Sequence, residues 1–340
     1  MVNDKINVAL AANDAYFPGI LVAASSIAMY ASRKVALRFC ILDSAITQEH
    51  HAVFEEALIK FHPDVKVKWI PVNEETFSRF QAWKGNKMAY ARLLLPEILK
   101  DEDYVVYCDA DFLWMRDIAE LWGMRKPSIA LIGVKDGADW SMALEKKWFE
   151  THGFEFDIDK YFCSGLCFMN LKYFRDAKLS ERCFEILGTY SDMHFPDQAA
   201  LNIATKGISY IASREWMQFS YFLTAEEFKA GVVVHYAGVA PWKRETIRRF
   251  SRLNWQILPD VAVLWYEVYA RALGTSRFKA ICRYLGLRAA TQYRLTFKML
   301  TIFSTKRLIN FLAWFGFDRE RTEEACKELV RMRLPKAQYE

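Results

Sequence analysis

Asp109 and Asp111 are the residues of this chain best placed by type and spacing to do chemistry. They flank Ala110 directly after the apolar run Tyr104–Cys108 (YVVYC). Two carboxylates in extended backbone at one strand end can share a hard divalent cation. An ion held there would bridge a diphosphate and neutralise a departing phosphate. Asp-x-Asp alone is common in surface loops, so its place after a hydrophobic strand is what gives it weight. His235 ends another apolar run and is the candidate third ligand. Its nitrogen would favour Mn²⁺, with Mg²⁺ as the second choice. In the same stretch Gly238 permits close backbone approach to a phosphate, and Lys243 after Pro241-Trp242 offers a cation.

Three other positions stand out. Arg92 sits in the apolar helical stretch 88–96 (MAYARLLLP). A guanidinium is costly to bury alone, so it must meet a carboxylate or a ligand phosphate. Asp197 and Gln198 open a helix after Pro196, where Asp197 also suits a helix cap. Ser164-Gly165 precedes an apolar run, and small residues there let a ligand approach the backbone.

The elements that must carry these groups follow from patterning. Runs 6–12, 35–42 and 65–72 read as strands, and 20–30 and 50–61 as helices, with Thr47 capping the second. Strand–helix alternation of this kind predicts right-handed crossovers and a mostly parallel sheet. Ligands bind at the carboxyl ends of such strands, which is where the two aspartates fall. The runs 129–133, 165–169 and 232–235 are expected to complete the central sheet and its margins.

Composition narrows the class. The 340 residues are 53% hydrophobic and 15% aromatic, enough for a large core. A net charge of +5 with no recognised nucleic-acid motif argues against a nucleic-acid partner. The seven cysteines include no Cys-x-x-Cys pair, which fits a reducing, cytoplasmic compartment better than a disulfide scaffold. No signal-peptide layout or uncharged run of roughly 18 apolar residues is present. From about residue 268 the character changes. Nine Lys/Arg and no Asp/Glu lie between 268 and 317, interleaved with aromatics. That pattern suits a helical segment lying on an anionic membrane surface. The expected division is therefore 1–267 for a catalytic domain and 268–340 for a basic, aromatic helical extension.

Taken in order, six segments resemble glycosyltransferase family 8, which includes bacterial lipopolysaccharide glucosyl- and galactosyltransferases. They are 7–16 (NVALAANDAY), 90–93 (YARL), 104–111 (YVVYCDAD), 164–170 (SGLCFMN), 197–202 (DQAALN) and 235–242 (HYAGVAPW). The resemblance implies a GT-A fold, a Rossmann-like sheet flanked by helices. It also implies Mn²⁺-dependent transfer of a hexose from a UDP-sugar with retention of configuration. By position, Ala11 and Asn13 would contact uracil and Tyr16 would stack on it. Arg92, Asp109, Ala110, Ser164 and Gly165 would touch the donor. Asp109, Asp111 and His235 would hold the metal, and Gly238 with Lys243 the diphosphate. Asp197 and Gln198 would line the donor sugar as the catalytic pair. Four departures bear on which sugar is used: Asn13 where Asp is frequent, Cys163-Ser164-Gly165 in place of Asn-Ala-Gly, Ala199 in place of a second acid, and no Lys before Pro241.

The implied partners are a UDP-sugar, a glycan or glycolipid acceptor, and the inner face of the membrane through 268–317, with peripheral attachment. Two other readings compete. One is a membrane-surface binding protein with a decayed catalytic domain. The other is a metal-dependent nucleotidyltransferase, which also uses Asp-x-Asp.

Overall fold

The computed structural model describes residues 4–81, 85–242 and 258–275. The first half alternates strand and helix: β1 (Asp4–Asn13), α1 (Phe17–Tyr30), β2 (Val35–Ser44), α2 (Gln48–Phe61) and β3 (Val65–Pro71). A 3₁₀ segment, Met88–Leu94, leads into α3 (Leu95–Ile98) and β4 (Tyr104–Cys108). Then follow β5 (Phe112–Leu113), α4 (Ile118–Trp122), β6 (Leu131–Lys135), α5 (Asp139–Thr151) and β7 (Phe162–Asn170). The remainder is α6 (Leu171–Asp176), α7 (Leu179–Thr189), α8 (Pro196–Ala204), β8 (Ser209–Ala212), β9 (Gln218–Phe219), α9 (Ala225–Ala230), β10 (Val234–His235) and α10 (Leu258–Ala272).

Seven strands form the central sheet in the order β3-β2-β1-β4-β7-β6-β8. The β3-β2-β1-β4 half is parallel, as the alternation predicts. β1 is buried without interruption from Ile6 to Leu10, because helices cover both faces of a parallel sheet and leave no polar side. α1 starts with Pro18 in its first turn, where the missing N–H costs nothing. Thr47 caps α2 by accepting the His50 amide at 3.3 Å.

Two strands depart from the simple expectation. β7 runs antiparallel to both β4 and β6, in the middle of the sheet. The run 232–235 leaves the central sheet altogether. Its β10 pairs antiparallel with β5 and parallel with β9 in a separate three-stranded sheet. Gly231, at φ 79°, turns the chain out of α9 and into this strand.

α10 packs against α1, with Trp265 fully buried and stacked on Trp242 at 5.8 Å. The Tyr266 hydroxyl donates to the Pro241 carbonyl at 2.8 Å. The helix runs continuously through position 268, where the charge composition changes. Residues 276–340, and with them most of the basic aromatic stretch, lie outside the described residues. Among the described residues no helix is long and apolar enough to cross a membrane, and the five described cysteines are free and buried.

Candidate functional site

Asp109 and Asp111 emerge at the carboxyl end of β4, and the sheet itself fixes their approach. The Asp109 amide donates to the Gly165 carbonyl at 2.9 Å, extending the β4–β7 ladder past the strand end. Two residues on, the Asp111 carbonyl accepts the Tyr236 amide at 2.8 Å, and Phe112 pairs with His235 across β5 and β10. Strand pairing therefore delivers a histidine from far along the chain to the two carboxylates. One ligand atom from each of Asp109, Asp111 and His235 lies within 4.8 Å of the others.

The imidazole is oriented by its neighbours. It stacks on Phe112 with centroids 4.3 Å apart, and Phe219 lies at 5.4 Å. Its Nδ1 faces the buried Cys163 sulfur at 3.9 Å, while Nε2 stands 3.3 Å from an Asp111 oxygen. Gly165 makes this approach sterically feasible. A Cβ at that position would lie 2.7 Å from His235 Cε1 and 3.2 Å from a Phe112 ring carbon. Two hard oxygens and one borderline nitrogen fit a divalent cation of the Mg²⁺/Mn²⁺ kind.

Arg92 is only 2% exposed, and each of its three nitrogens donates a hydrogen bond. Nη2 bonds Asp109 at 2.8 Å and stands 3.6 Å from Asp197. Nη1 donates to the Ser164 carbonyl, Nε donates to Ala89 O at 2.8 Å, and the plane lies 4.3 Å from the Tyr107 ring centre. Burial opposes its charge, but Asp109, Tyr107 and Asp197 around it hold it firmly protonated. The carboxylate partner expected for a buried arginine is thus present twice. Asp109 itself is pushed up by burial and by Asp111, against the pull of Arg92. The Tyr107 hydroxyl adds a 2.8 Å hydrogen bond to the same carboxylate.

Across β7, Ser164 joins this cluster to α8. Its hydroxyl donates to Asp197 at 2.8 Å and its amide donates to the Gln198 side-chain oxygen at 2.9 Å. Phe195 occupies the cap position of α8, so Asp197 lies inside the first turn and faces Ser164. Gln198 Nε2 donates to Asp136 at 3.0 Å. Asp136 was not singled out in the sequence, yet it follows β6 and precedes Gly137 as Asp109 follows β4. A carboxylate at a strand end was the available signal.

Ala11 and Asn13 lie at the carboxyl end of β1, next to β4. The Asn13 side-chain oxygen is buried with no hydrogen-bond partner. Tyr16 meets Trp242 edge-on at 5.9 Å, and Trp242 fills the space over Gly19, where a Cβ would come within 2.6 Å of the indole. Ala110 is buried beneath them, its carbonyl against the same glycine. Gly238 has φ 73°, a conformation open to glycine, and nothing lies within 4 Å of a would-be Cβ. Lys243 lies outside the described residues.

Comparisons with known proteins point the same way as this geometry. The chain is 24% identical over 297 residues to lipopolysaccharide 1,2-glucosyltransferase of Escherichia coli K12, covering 82% of this chain and 80% of that one. It is 22% identical over 231 residues to general stress protein A of Bacillus subtilis, covering 62% and 78%. Among solved structures, the galactosyltransferase LgtC, crystallised with donor and acceptor sugar analogs, matches with TM-score 0.63 and 25% identity, over 78% of this chain and 95% of that one. The bifunctional glycosyltransferase WbbM shares the fold at TM-score 0.61 and 18% identity, and the match spans 52% of its length. The architecture is therefore GT-A, a mostly parallel sheet flanked by helices. The family model for glycosyl transferase family 8 matches residues 7–246, and the chain belongs to that family of glycosyltransferases.

Proposed function

We propose that this protein moves a hexose, glucose or galactose, from a UDP-sugar to a lipopolysaccharide or other surface-glycan acceptor, with retention of configuration and with Mn²⁺ as cofactor. The observation that carries the reading is the convergence of Asp109, Asp111 and His235 within 4.8 Å at the carboxyl edge of the sheet. A divalent ion held by those three groups would neutralise charge developing on the departing diphosphate.

The chain's own residues supply the rest. Arg92 holds Asp109 and Asp197 in register, so the metal-facing and sugar-facing acids share one counter-charge. Ser164 and Asp197 offer a short polar wall for the hexose, and Gln198 stands beside it. Gln198 is tied at both ends of its amide, its oxygen to the Ser164 amide and its nitrogen to Asp136. An oxygen already accepting a hydrogen bond is a weaker nucleophile, which supports attack by the acceptor hydroxyl from the face that UDP leaves. A phosphate oxygen of the leaving group would take that proton. No second carboxylate is then needed, unlike the pair used in retaining glycosidases.

The names of the E. coli and LgtC relatives support a sugar acceptor of the lipopolysaccharide type. The acid-free stretch 268–317 supports docking at the inner, anionic face of a membrane. The test is a UDP-sugar panel scored for Mn²⁺-dependent UDP release. Asp109→Asn and Asp111→Asn should each reduce release by at least ~10³-fold with unchanged circular dichroism. Wild-type rates in either folded variant, or pyrophosphate release in place of UDP, would overturn the assignment.

A further inference from the structure

Behind the proposed sugar wall lies a second polar layer, contributed by α5. Asp136, the partner of Gln198 Nε2, also accepts the Ala138 amide at 3.0 Å and shares the Ser141 hydroxyl, 3.1 Å away, with the Ala138 carbonyl at 2.8 Å. Ser141 and Glu145 lie four residues apart on α5 and so share a face. Glu145 is 1% exposed. One of its oxygens accepts the Tyr161 hydroxyl at 2.6 Å, and the other is buried with no hydrogen-bond partner. Tyr161 completes the circuit, because its carbonyl accepts the Asp136 amide at 3.0 Å. One α5 face therefore reaches Asp136, and through it the Gln198 amide, by two routes, the Ser141 hydroxyl and the Glu145–Tyr161 pair.

The geometry points to Glu145 as a positioning residue for glycosyl transfer, one that sets the orientation of the Gln198 amide through Tyr161 and Asp136 without touching substrate. This rests on the reading of Gln198 as part of the sugar wall. A side chain braced from behind keeps its rotamer when substrate arrives, and small misplacements at a reacting centre are expensive.

Its protonation state matters to the brace. The titratable groups facing Glu145 are Tyr161 from the segment before β7, Asp136 from the end of β6 and Asp197 from α8. Burial raises the carboxyl, the Tyr161 hydrogen bond and the Phe195 backbone oppose it, and the charges of Asp136 and Asp197 add to the rise, bringing it to about 7. Below that value a neutral Glu145 accepts from Tyr161 and leaves Asp136 undisturbed. Above it, a second buried carboxylate stands beside Asp136 and loosens its hold on Gln198 by repulsion. Turnover should fall as Glu145 ionises, while binding of UDP itself, which depends on β1 and the metal ligands, should not.

The experiment follows the side-chain amide resonances of Gln198 in the full chain between about pH 5.5 and 8.5. They are assigned by their loss in Gln198→Ala. In the wild type they should shift with a midpoint near 7, and in Glu145→Gln they should be flat. Beside this, Mn²⁺-dependent UDP-sugar hydrolysis should lose about tenfold in kcat on the alkaline side, while the Mn²⁺-dependent affinity for UDP alone stays constant. Glu145→Gln should abolish that limb, and Glu145→Ala should lower kcat about tenfold at every pH. Should the alanine variant fail to fold, the glutamine variant carries the test. An amide titration unchanged in Glu145→Gln, or an alkaline limb that persists in it, overturns the inference. Absence of hydrolysis in the wild type with the amide still titrating through Glu145 would refute the proposed function and leave the brace standing.

Discussion

Replacing Arg92 with methionine should expose how far the site depends on one buried cation. The side chain is enclosed, so the perturbation is mainly electrostatic: methionine fills much of the volume and supplies none of the donors. It deletes the 2.8 Å bond to Asp109, the 3.6 Å pairing with Asp197 and the donation to Ser164 O. Removing one partner of a buried ion pair costs about 3 to 5 kcal/mol, because the other charge stays behind unpaired. Here two carboxylates are left behind, but the Asp109 side chain is 29% exposed and partly screened by water, so the lower part of that range is expected. The sign with pH follows from Asp109. Burial already raises its carboxyl, and loss of Arg92 raises it further, above its unfolded value. A group raised in the folded state stabilises at low pH and loses that contribution as the pH climbs through the folded value. The deficit of the variant should therefore be small in mild acid and full near neutrality, measured by urea unfolding in the presence of a chelator. Binding of Mn²⁺ with UDP should show the opposite trend, since the ligand must be deprotonated. It should be weakest at the acid end and recover with rising pH, as calorimetry can follow. A variant within 1 kcal/mol of wild type at every pH, with unchanged Mn²⁺ affinity, would refute the reasoning.

Three further outcomes are expected. Gly165→Ala places a methyl 2.7 Å from His235 Cε1; it should cost about 1 to 3 kcal/mol and weaken Mn²⁺ binding by moving the imidazole, both readable by calorimetry. Glu145 lies at about 7 in the fold against an ordinary 4.5, a difference worth about 3 kcal/mol of stability that is whole below the unfolded value and lost as the pH rises through 7. Urea titrations should show Glu145→Gln free of that loss. A chain ending after residue 275 should keep donor hydrolysis and lose sedimentation with anionic vesicles. Cutting at 268 instead would sever α10, whose Val268 and Tyr269 are buried, and should destabilise the whole domain.

The stations of this site that were legible in the sequence are the ones whose signal is local. Asp109 and Asp111 announced themselves because a short β-rich run ends at them, and strand ends of parallel sheets carry ligand groups. Arg92 was legible because a charge amid apolar neighbours demands a partner, and the structure supplies Asp109 and Asp197. The early βαβ alternation fixed the parallel half of the sheet for the same reason, since a run of β-formers buried on both faces has few other solutions.

What required the tertiary structure was everything set by pairing between distant segments. Nothing in residues 232–235 says that they leave the main sheet to pair with Phe112 and Leu113, yet that pairing carries His235 to Asp111. Asp136, Tyr161 and Glu145 lie on three separate elements, and only their packing shows that they converge behind Gln198. Glu145 in isolation reads as one more acid of an amphipathic helix; burial makes it a titrating group, and burial is a property of the assembled fold. Local chemistry nominated the residues, and long-range strand pairing and desolvation determined which of them meet and in what state of charge.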